Sequence, residues 1–414
     1  MRRGADRPSI YCRTMATERR SPPERPDRVR VGIVGLGAVA QAVYLPLLDR
    51  LADRFSVAAV CDLSPSLVTA LADRYRVPGA ARFTDAEALI ASDAIDAVVV
   101  LSSGSHGAVA GAAMRRGLPV LCEKPLALTL AEADELEAIA GAIPRARLQL
   151  GYMKLYDPAV VAARRWLDAR SDVARAPRSV EVTVLHPPSE LQLAHAQLLA
   201  PADDLPAAAV AAIRAAGDRL ATAALGGAPA DLKRLYSGIL LGSIVHELAQ
   251  IRHFAGDPTA IDDVDAWPRD TWPPSVSISG RLRDEGRFSI RWHYLSGFPA
   301  YREEVRLVFE DATVELLFPS PYLMHAPTRL TITERDGTGF RDTERGSYVE
   351  AFEEQLLAFH RFVVDGTLPL AGIADGRADI VTCQAMARRK AERDGVEIGG
   401  EAAAAAAGVA AAVT

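Results

Sequence analysis

The stretch that decides the fold runs from residue 31 to residue 40 and reads Val31-Gly32-Ile33-Val34-Gly35-Leu36-Gly37-Ala38-Val39-Ala40. An apolar run ends in a G-x-G-x-x-A turn, and an amphipathic helical pattern follows. Gly35 permits the tight turn, Gly37 lets a pyrophosphate approach the backbone, and Ala40 keeps the helix close to its strand. The pattern therefore predicts a phosphate-binding strand–turn–helix unit with free N–H groups at the helix N-terminus.

A second strand and an acidic residue follow at the spacing expected for dinucleotide binding. Phe55–Cys61 is the predicted strand, and Asp62 closes it 22 positions after Ala40 (62 − 40). A carboxylate there accepts hydrogen bonds from ribose hydroxyls and repels a 2′-phosphate. The sequence predicts NAD as the cofactor, with NADP as the alternative if Arg74 or Arg82 folds over the site. A βαβ unit without a cofactor is the competing interpretation.

The candidate cofactor-binding residues lie in this turn or at the carboxyl ends of predicted strands, where ligands of parallel sheets bind. They are Gly35, Gly37, Ala38, Val39, Asp62, Ser102, His106, Glu123 and Lys124.

The order of predicted elements divides the chain into two kinds of α/β structure. Strands and helices alternate in the first part, which predicts a Rossmann domain with a parallel sheet. The second part predicts an α+β domain with a largely antiparallel, open-faced sheet. The expected boundaries are a disordered tail at 1–28, a Rossmann domain at 29–150, a substrate and oligomerisation domain at 151–397 with a helical insertion at 187–235, and an Ala-rich tail at 398–414.

Composition narrows the function classes. The net charge of the 414 residues is 47 − 53 = −6, without a basic block in the body of the chain, which argues against nucleic-acid and membrane partners. No stretch reaches the roughly 18 apolar residues of a membrane span. The four cysteines form no C-x-x-C pair and no metal-ligand spacing, so we expect no metal and a cytoplasmic location.

The stretch Glu123-Lys124-Pro125, between a predicted strand and a helix, resembles the signature of the Gfo/Idh/MocA oxidoreductases. The resemblance covers about residues 29–397 and is supported by the Gly-rich turn, by Gly151-Tyr152 before Tyr156-Asp157-Pro158, and by the helix containing His246. It implies reversible hydride transfer between NAD or NADP and a carbinol carbon of a sugar, cyclitol or related compound. Lys124 would be the active-site lysine, positioned by Pro125 through a cis peptide bond.

The same resemblance implies a catalytic helix that this chain carries only in part. The family commonly places an Asp four residues before the histidine, and here that position is Gly242. His246 and Lys124 are the predicted catalytic residues. Glu247 points about 100° away on a regular helix and is not expected to replace the missing carboxylate. The candidate sources of another polar group, and thus of substrate contacts, are Tyr152, Tyr156, His186 and Tyr236.

We therefore expect an NAD(P)-dependent oxidoreductase acting on a sugar or polyol. Two alternatives stay open from the sequence: an NAD-dependent glycosidase without net redox, and a non-catalytic dinucleotide-binding regulator. We also expect a homodimer or homotetramer formed through the second-domain sheet. An apolar open face would need cover there, with contributions from Phe288, Trp292 and Tyr294.

Overall fold

The computed structural model describes residues 27–145, 147–170, 176–199 and 203–404. The predicted N-terminal tail, apart from residues 27 and 28, lies outside these residues, and so do residues 405–414 of the predicted C-terminal tail.

The first half forms a six-stranded parallel sheet in the order β3-β2-β1-β4-β5-β6. Its strands are β1 (Val29–Val34), β2 (Phe55–Cys61), β3 (Arg82–Phe83), β4 (Ala97–Val100), β5 (Val120–Glu123) and β6 (Leu148–Gly151). Its helices are α1 (Leu45–Arg50), α2 (Pro65–Arg74), α3 (Ala86–Ala91), α4 (Gly107–Arg115) and α5 (Leu130–Ala142), and a π-helical turn, Ala40–Tyr44, precedes α1. This strand order is that of a dinucleotide-binding Rossmann sheet, whose ligands bind outside the carboxyl ends of β1 and β4. The predicted Rossmann fold is confirmed.

The second half forms an eight-stranded mixed sheet in the order β14-β13-β12-β11-β7-β10-β9-β8. Its strands are β7 (Ser179–His186), β8 (Ala260–Trp267), β9 (Ser275–Arg281), β10 (Arg287–Tyr294), β11 (Arg302–Val308), β12 (Ala312–Phe318), β13 (Arg329–Asp336) and β14 (Gly339–Arg345). All neighbouring pairs are antiparallel except β7 and β10, which pair in parallel. The predicted largely antiparallel sheet is therefore confirmed.

The helices of this part of the chain pack against both sheets, and some of them fill the expected insertion. They are α6 (Pro158–Asp168), α7 (Ser189–Leu193), α8 (Ala207–Leu225), α9 (Ala230–Leu235), α10 (Val245–Ala255), α11 (Ala351–Val364) and α12 (Ile373–Asp394). A π-helical segment, Tyr236–Ile244, joins α9 to α10 without a break. None of the helices in the described part of the chain is both long and apolar enough to cross a bilayer.

The open face of the second sheet differs from the expectation. Phe288 and Trp292 were expected on it, but they are 2% and 4% exposed and lie on the helix-covered face. The reason is the two-residue alternation of β10, which turns Phe288, Ile290 and Trp292 inward and leaves Arg291 exposed on the other side. Tyr294 shares the inward side and is half-buried. The open face is thus polar rather than apolar.

The first residues of the predicted Ala-rich tail pack on the domain. The carboxylate of Glu401 accepts hydrogen bonds from the N–H groups of Leu130 (2.8 Å) and Ala131 (3.0 Å). These groups lie in the first turn of α5, where backbone donors lack helical partners. Ala402 is fully buried. Residues 398–404 therefore form a docked segment that caps α5.

Gly35 and Gly37 differ in whether the turn can accommodate a Cβ atom, and one alanine substitution at each position tests this difference. Gly35 has φ +95°, and a Cβ there would lie 2.6 Å from the Ser102 nitrogen, whereas a Cβ on Gly37 would meet no atom within 4 Å. We expect Gly35→Ala to lower the free energy of unfolding in urea by about 1–3 kcal/mol or more, because strain and overlap add. Gly37→Ala is the matched control and should leave it unchanged. Equal effects of the two substitutions would contradict this account of the turn.

Candidate active site

A cleft of about 300 Å³ opens between the carboxyl ends of the first sheet and the second half of the chain. It brings together most of the predicted cofactor residues with both predicted catalytic residues. Its lining comprises Gly37, Ala38, Val39, Leu101, Ser102, Ser103, His106, Glu123, Lys124, Met153, His246, Pro321, Tyr322 and Phe352.

The Gly-rich turn has the shape that a dinucleotide requires. The Leu36 N–H donates to the Asp62 carboxylate at 2.8 Å, and the other carboxylate oxygen accepts from the Ser64 N–H at 3.1 Å. Gly37 is exposed, and the space that its missing Cβ would fill is open. Backbone donors beside an open glycine and a carboxylate at the end of β2 fit the pyrophosphate and ribose of a dinucleotide.

His106 fixes the loops at the ends of β4 and β5 relative to each other. Its Nε2 lies 2.5 Å from the Ser102 carbonyl oxygen, and its Nδ1 lies 2.6 Å from the Pro125 carbonyl oxygen. The Lys124–Pro125 peptide bond is cis. His106, 2% exposed, therefore acts as a bridge between two segments of the cleft wall.

Lys124 reaches across the cleft to the second half of the chain. Its Nζ donates a hydrogen bond to the Gly242 carbonyl oxygen at 2.6 Å. Burial lowers the pKa of Lys124, and the nearby Lys154 adds to this, while Glu123 and Glu247 oppose it. The lysine is therefore held at the position where the family's aspartate is absent, with a backbone dipole in place of a carboxylate.

The Glu123 carboxyl group is hydrogen-bonded to the backbone of Lys124. This carboxylate is 7% exposed; it accepts a hydrogen bond from the Tyr44 hydroxyl at 2.5 Å and from the Lys124 N–H at 3.2 Å. Burial raises the pKa of Glu123, and Lys124 and the Tyr44 hydroxyl oppose the rise. The Tyr44 hydroxyl in turn accepts from the Gln355 side chain at 2.8 Å. This chain of contacts ties the end of β5 to α11.

His246 lines the cleft as predicted. Its Nδ1 is buried without a hydrogen-bond partner, and its ring lies edge-on to Tyr152 with 6.0 Å between centroids. Burial lowers the pKa of His246 well below its usual range, and the charges of Lys124 and Lys154 lower it further. The imidazole is therefore neutral near pH 7 and able to accept a proton.

Three of the four predicted substrate contacts are hydroxyls that already have partners elsewhere. Tyr152 donates to Asp379, Tyr156 accepts from the Leu370 N–H at 3.1 Å, and Tyr236 donates to the Leu128 carbonyl at 2.7 Å. All three side chains are buried. The structure thus makes them part of the packing beneath the cleft, because their hydroxyls satisfy groups on neighbouring helices and loops.

The fourth, His186, lies at the end of β7 among aromatic rings. Its ring centroid is 5.3 Å from that of Trp292, 6.3 Å from that of Tyr294 and 5.7 Å from that of Tyr301. Its Nδ1 is buried without a partner. Burial lowers the pKa of His186, and the charges of Lys124 and Lys154 contribute. Of these four side chains, His186 is the one with a polar atom that has no hydrogen-bond partner in the described structure.

Sequence reasoning missed a buried polar network behind His246. Lys154 donates to Glu303, which also accepts from the Gln250 amide at 2.8 Å and the Tyr301 hydroxyl at 2.5 Å. Glu247 is 1% exposed, 3.7 Å from Lys154 Nζ, and its Oε2 has no hydrogen-bond partner. The available signals were a lysine inside an apolar stretch and a glutamate beside His246. Within the described ranges, no group of three or more His, Cys, Asp or Glu side chains is placed to hold a metal ion.

Comparison with known proteins gives a sequence match for the first half and a fold match for both halves. Residues 29–149 match the family described as the oxidoreductase family with an NAD-binding Rossmann fold, GFO_IDH_MocA. The inositol 2-dehydrogenase of Corynebacterium glutamicum (strain R) is 35% identical over 132 residues, which are 31% of this chain and 38% of that protein. The chain spans less than half the length of these curated relatives.

Two solved structures resemble nearly the whole chain. UDP-N-acetylglucosamine 3-dehydrogenase from Acidithiobacillus ferrooxidans covers 87% of this chain and 97% of its own, at 20% identity and a TM-score of 0.63. The aldose-aldose oxidoreductase from Caulobacter crescentus covers 88% and 98%, at 17% identity and a TM-score of 0.66. At these identities the likeness shows a shared fold.

The buried carboxyl of Glu247 should make stability depend on pH. Burial raises the pKa of Glu247 to about 8, with Lys154 opposing. The folded state therefore binds a proton that the unfolded state has released, so this group's contribution to stability falls as pH rises from about 4.5 toward about 8. We expect Glu247→Gln to gain stability relative to the wild type as thermal unfolding is measured from pH 6 to pH 9. Glu344→Gln, exposed on β14, is the control, and a pH-independent difference for Glu247→Gln would refute the assignment.

Proposed function

We propose that this chain is an NAD(P)-dependent oxidoreductase of the Gfo/Idh/MocA family, whose model its residues 29–149 match. The proposed reaction transfers a hydride between the nicotinamide and a carbinol carbon of a sugar, cyclitol or related polyol. The observation that carries the proposal is the meeting of Lys124 and His246 in one cleft with the Gly-rich turn. NAD is the proposed cofactor, because Asp62 is positioned to accept hydrogen bonds from ribose hydroxyls.

The proposed substrate class rests on the relatives' names and on the chemistry of the cleft. The names describe an inositol dehydrogenase, a nucleotide-sugar dehydrogenase and an aldose oxidoreductase. The cleft in turn offers the amine of Lys124 and the imidazole of His246, groups that suit a hydroxyl-rich substrate.

The residues divide the proton chemistry of the proposed reaction. When bound, the nicotinamide supplies the hydride acceptor or donor. His246 is neutral near pH 7 and takes up the hydroxyl proton in the oxidative direction. Lys124, held by the Gly242 carbonyl, presents its amine to the same cleft and stabilises negative charge that develops on the reacting oxygen. In the reductive direction the same groups return the proton.

The absence of a carboxylate at Gly242 is the main departure from the family pattern. The proposal assigns part of its role to the Gly242 carbonyl, which orients the lysine, and part to the Glu123 carboxyl group, which acts electrostatically on Lys124. Of the alternatives left open by the sequence, neither a glycosidase without net redox nor a non-catalytic regulator is supported by the relatives, which carry dehydrogenase or oxidoreductase names. The proposed location is cytoplasmic.

Alanine substitutions test the catalytic assignment. Lys124→Ala and His246→Ala should each lower kcat by roughly 10²–10⁴, the usual effect of losing a general acid or base. Turnover is measured by nicotinamide absorbance with inositols, aldoses and nucleotide sugars as substrates. NAD affinity should stay nearly constant, because neither side chain contacts the adenosine half of the predicted site. Tyr156→Phe is the control with unchanged kcat, and full turnover by both alanine variants would overturn the proposal.

We also propose a homodimer or homotetramer that pairs through the open face of the second sheet. That face presents alternating charges, such as Arg306 beside Glu315 at 3.2 Å, which suits a polar isologous interface. Light scattering at micromolar concentration should give two or four times the chain mass of 44.3 kDa. Ser289→Arg, on β10, should lower this mass, whereas Ala138→Arg on the exposed side of α5 should not. A wild-type mass of one chain would contradict the proposal.

A further inference from the structure

The insertion in the second half of the chain contacts the predicted cofactor site at two places, the Gly-rich turn and the residues that follow β2. The Leu199 N–H donates to the Gln41 side-chain oxygen at 2.8 Å, and the Gln41 amide donates to the Leu199 carbonyl at 3.2 Å. The same Gln41 amide lies 2.9 Å from the Leu36 carbonyl oxygen, inside the Gly-rich turn. The second contact is made by Asp204 beside the carboxylate of Asp62, just after β2.

Asp204 occupies the hydrogen-bond donors that follow β2. One carboxylate oxygen accepts from the Ser64 hydroxyl at 2.6 Å, and the other accepts from the Ser66 N–H at 2.8 Å. Ser64 is the N-cap of α2, and its own N–H donates to Asp62 at 3.1 Å. Asp62 and Asp204 are therefore attached to the same residue, Ser64, one from each half of the chain.

This is the place where a Rossmann domain distinguishes its two cofactors. A 2′-phosphate needs donors and a cation just beyond the ribose-binding acid. Here the Ser64 hydroxyl and the Ser66 N–H already donate to the Asp204 carboxylate, whose negative charge also repels a phosphate. The hydrogen bonds from Ser64 and Ser66 lower the pKa of Asp204, so it is charged at neutral pH.

The two nearby arginines, Arg74 and Arg82, have contacts elsewhere and do not offset this charge. Arg82 donates to the Val77 carbonyl at 2.9 Å and pairs with Asp73 at 2.7 Å. Arg74 lies over the ring of Tyr75, 5.9 Å from its centroid. Neither guanidinium is held toward Ser64.

We propose that Asp204, supplied by the insertion, is a cofactor-specificity residue. It excludes the 2′-phosphate of NADP(H) because it occupies the space and the hydrogen-bond donors of Ser64 and Ser66 that the phosphate would need. The inference rests on the proposed NAD(P)-dependent function and deepens it. It assigns the choice of NAD to two carboxylates: Asp62 favours the ribose hydroxyls, and Asp204 blocks the phosphate.

Binding of NADH and NADPH to the full-length protein, followed by calorimetry, tests the proposal without a substrate. Asp204→Ala should raise NADPH affinity by about tenfold or more, because it frees two donors and removes a like charge. NADH affinity should change by less than about threefold. Asp62→Ala should instead lower the affinity for NADH, so that the ratio of NADH to NADPH affinity falls for a different reason.

Asp203→Ala is the matched control, because Asp203 is an exposed neighbour and its loss changes the net charge equally. It should leave both affinities unchanged. An Asp204→Ala variant with the same NADPH affinity as Asp203→Ala, or with NADH and NADPH affinities altered by the same factor, would overturn the role of Asp204 while leaving the proposed function intact. A wild-type protein that binds neither dinucleotide would overturn both.

Discussion

The hydrogen bond from Lys124 Nζ to the Gly242 carbonyl oxygen is the interaction on which the candidate site depends, because it joins the two halves of the chain at the reacting end of the cleft. Each half contributes something that the other cannot supply. The first half places the lysine at the end of β5, where the ends of parallel strands gather ligands. The second half offers an acceptor from a π-helical segment, Tyr236–Ile244, whose wider turn changes the directions of side chains relative to a regular helix. The usual argument that residues four apart share one face therefore applies less strictly here.

The charges around this hydrogen bond explain the behaviour of the nearby groups. Lys154 is paired with Glu303, and the remaining acceptor sites of Glu303 are filled by Gln250 and Tyr301. Glu247 is a second carboxyl group buried beside Lys154. Burial raises its pKa to about 8, so it keeps its proton at neutral pH. The two lysines in turn lower the pKa of His246. At neutral pH a neutral imidazole and a neutral carboxyl group therefore lie beside the two lysine side chains.

Much of the fold was readable from the sequence because its signals are local. The turn at Gly35 and Gly37, the acid at Asp62 and the alternation of strands and helices each depend on short spacing. The residues proposed from the sequence as catalytic, Lys124 and His246, line the same cleft. The partners of the tyrosine hydroxyls could not be predicted, because Tyr152 contacts Asp379 and Tyr156 contacts Leu370, both more than 200 positions away in the sequence. The same limit concealed the network of Lys154 and Glu303, whose members are 149 positions apart.

The insertion shows how a cofactor site can be adjusted from outside its own domain. A Rossmann domain selects between NAD and NADP with residues at the end of β2, and such residues are constrained by the sheet and by the ribose. Asp204 is free of those constraints because it arrives from a segment that the sheet does not organise. It reaches Ser64 only when both halves are packed together, so its effect on the cofactor is coupled to the arrangement that also brings Lys124 to Gly242. The two contacts lie at opposite ends of the dinucleotide site. Together they make cofactor recognition and the geometry of the reacting groups depend on the same packing of one half of the chain against the other.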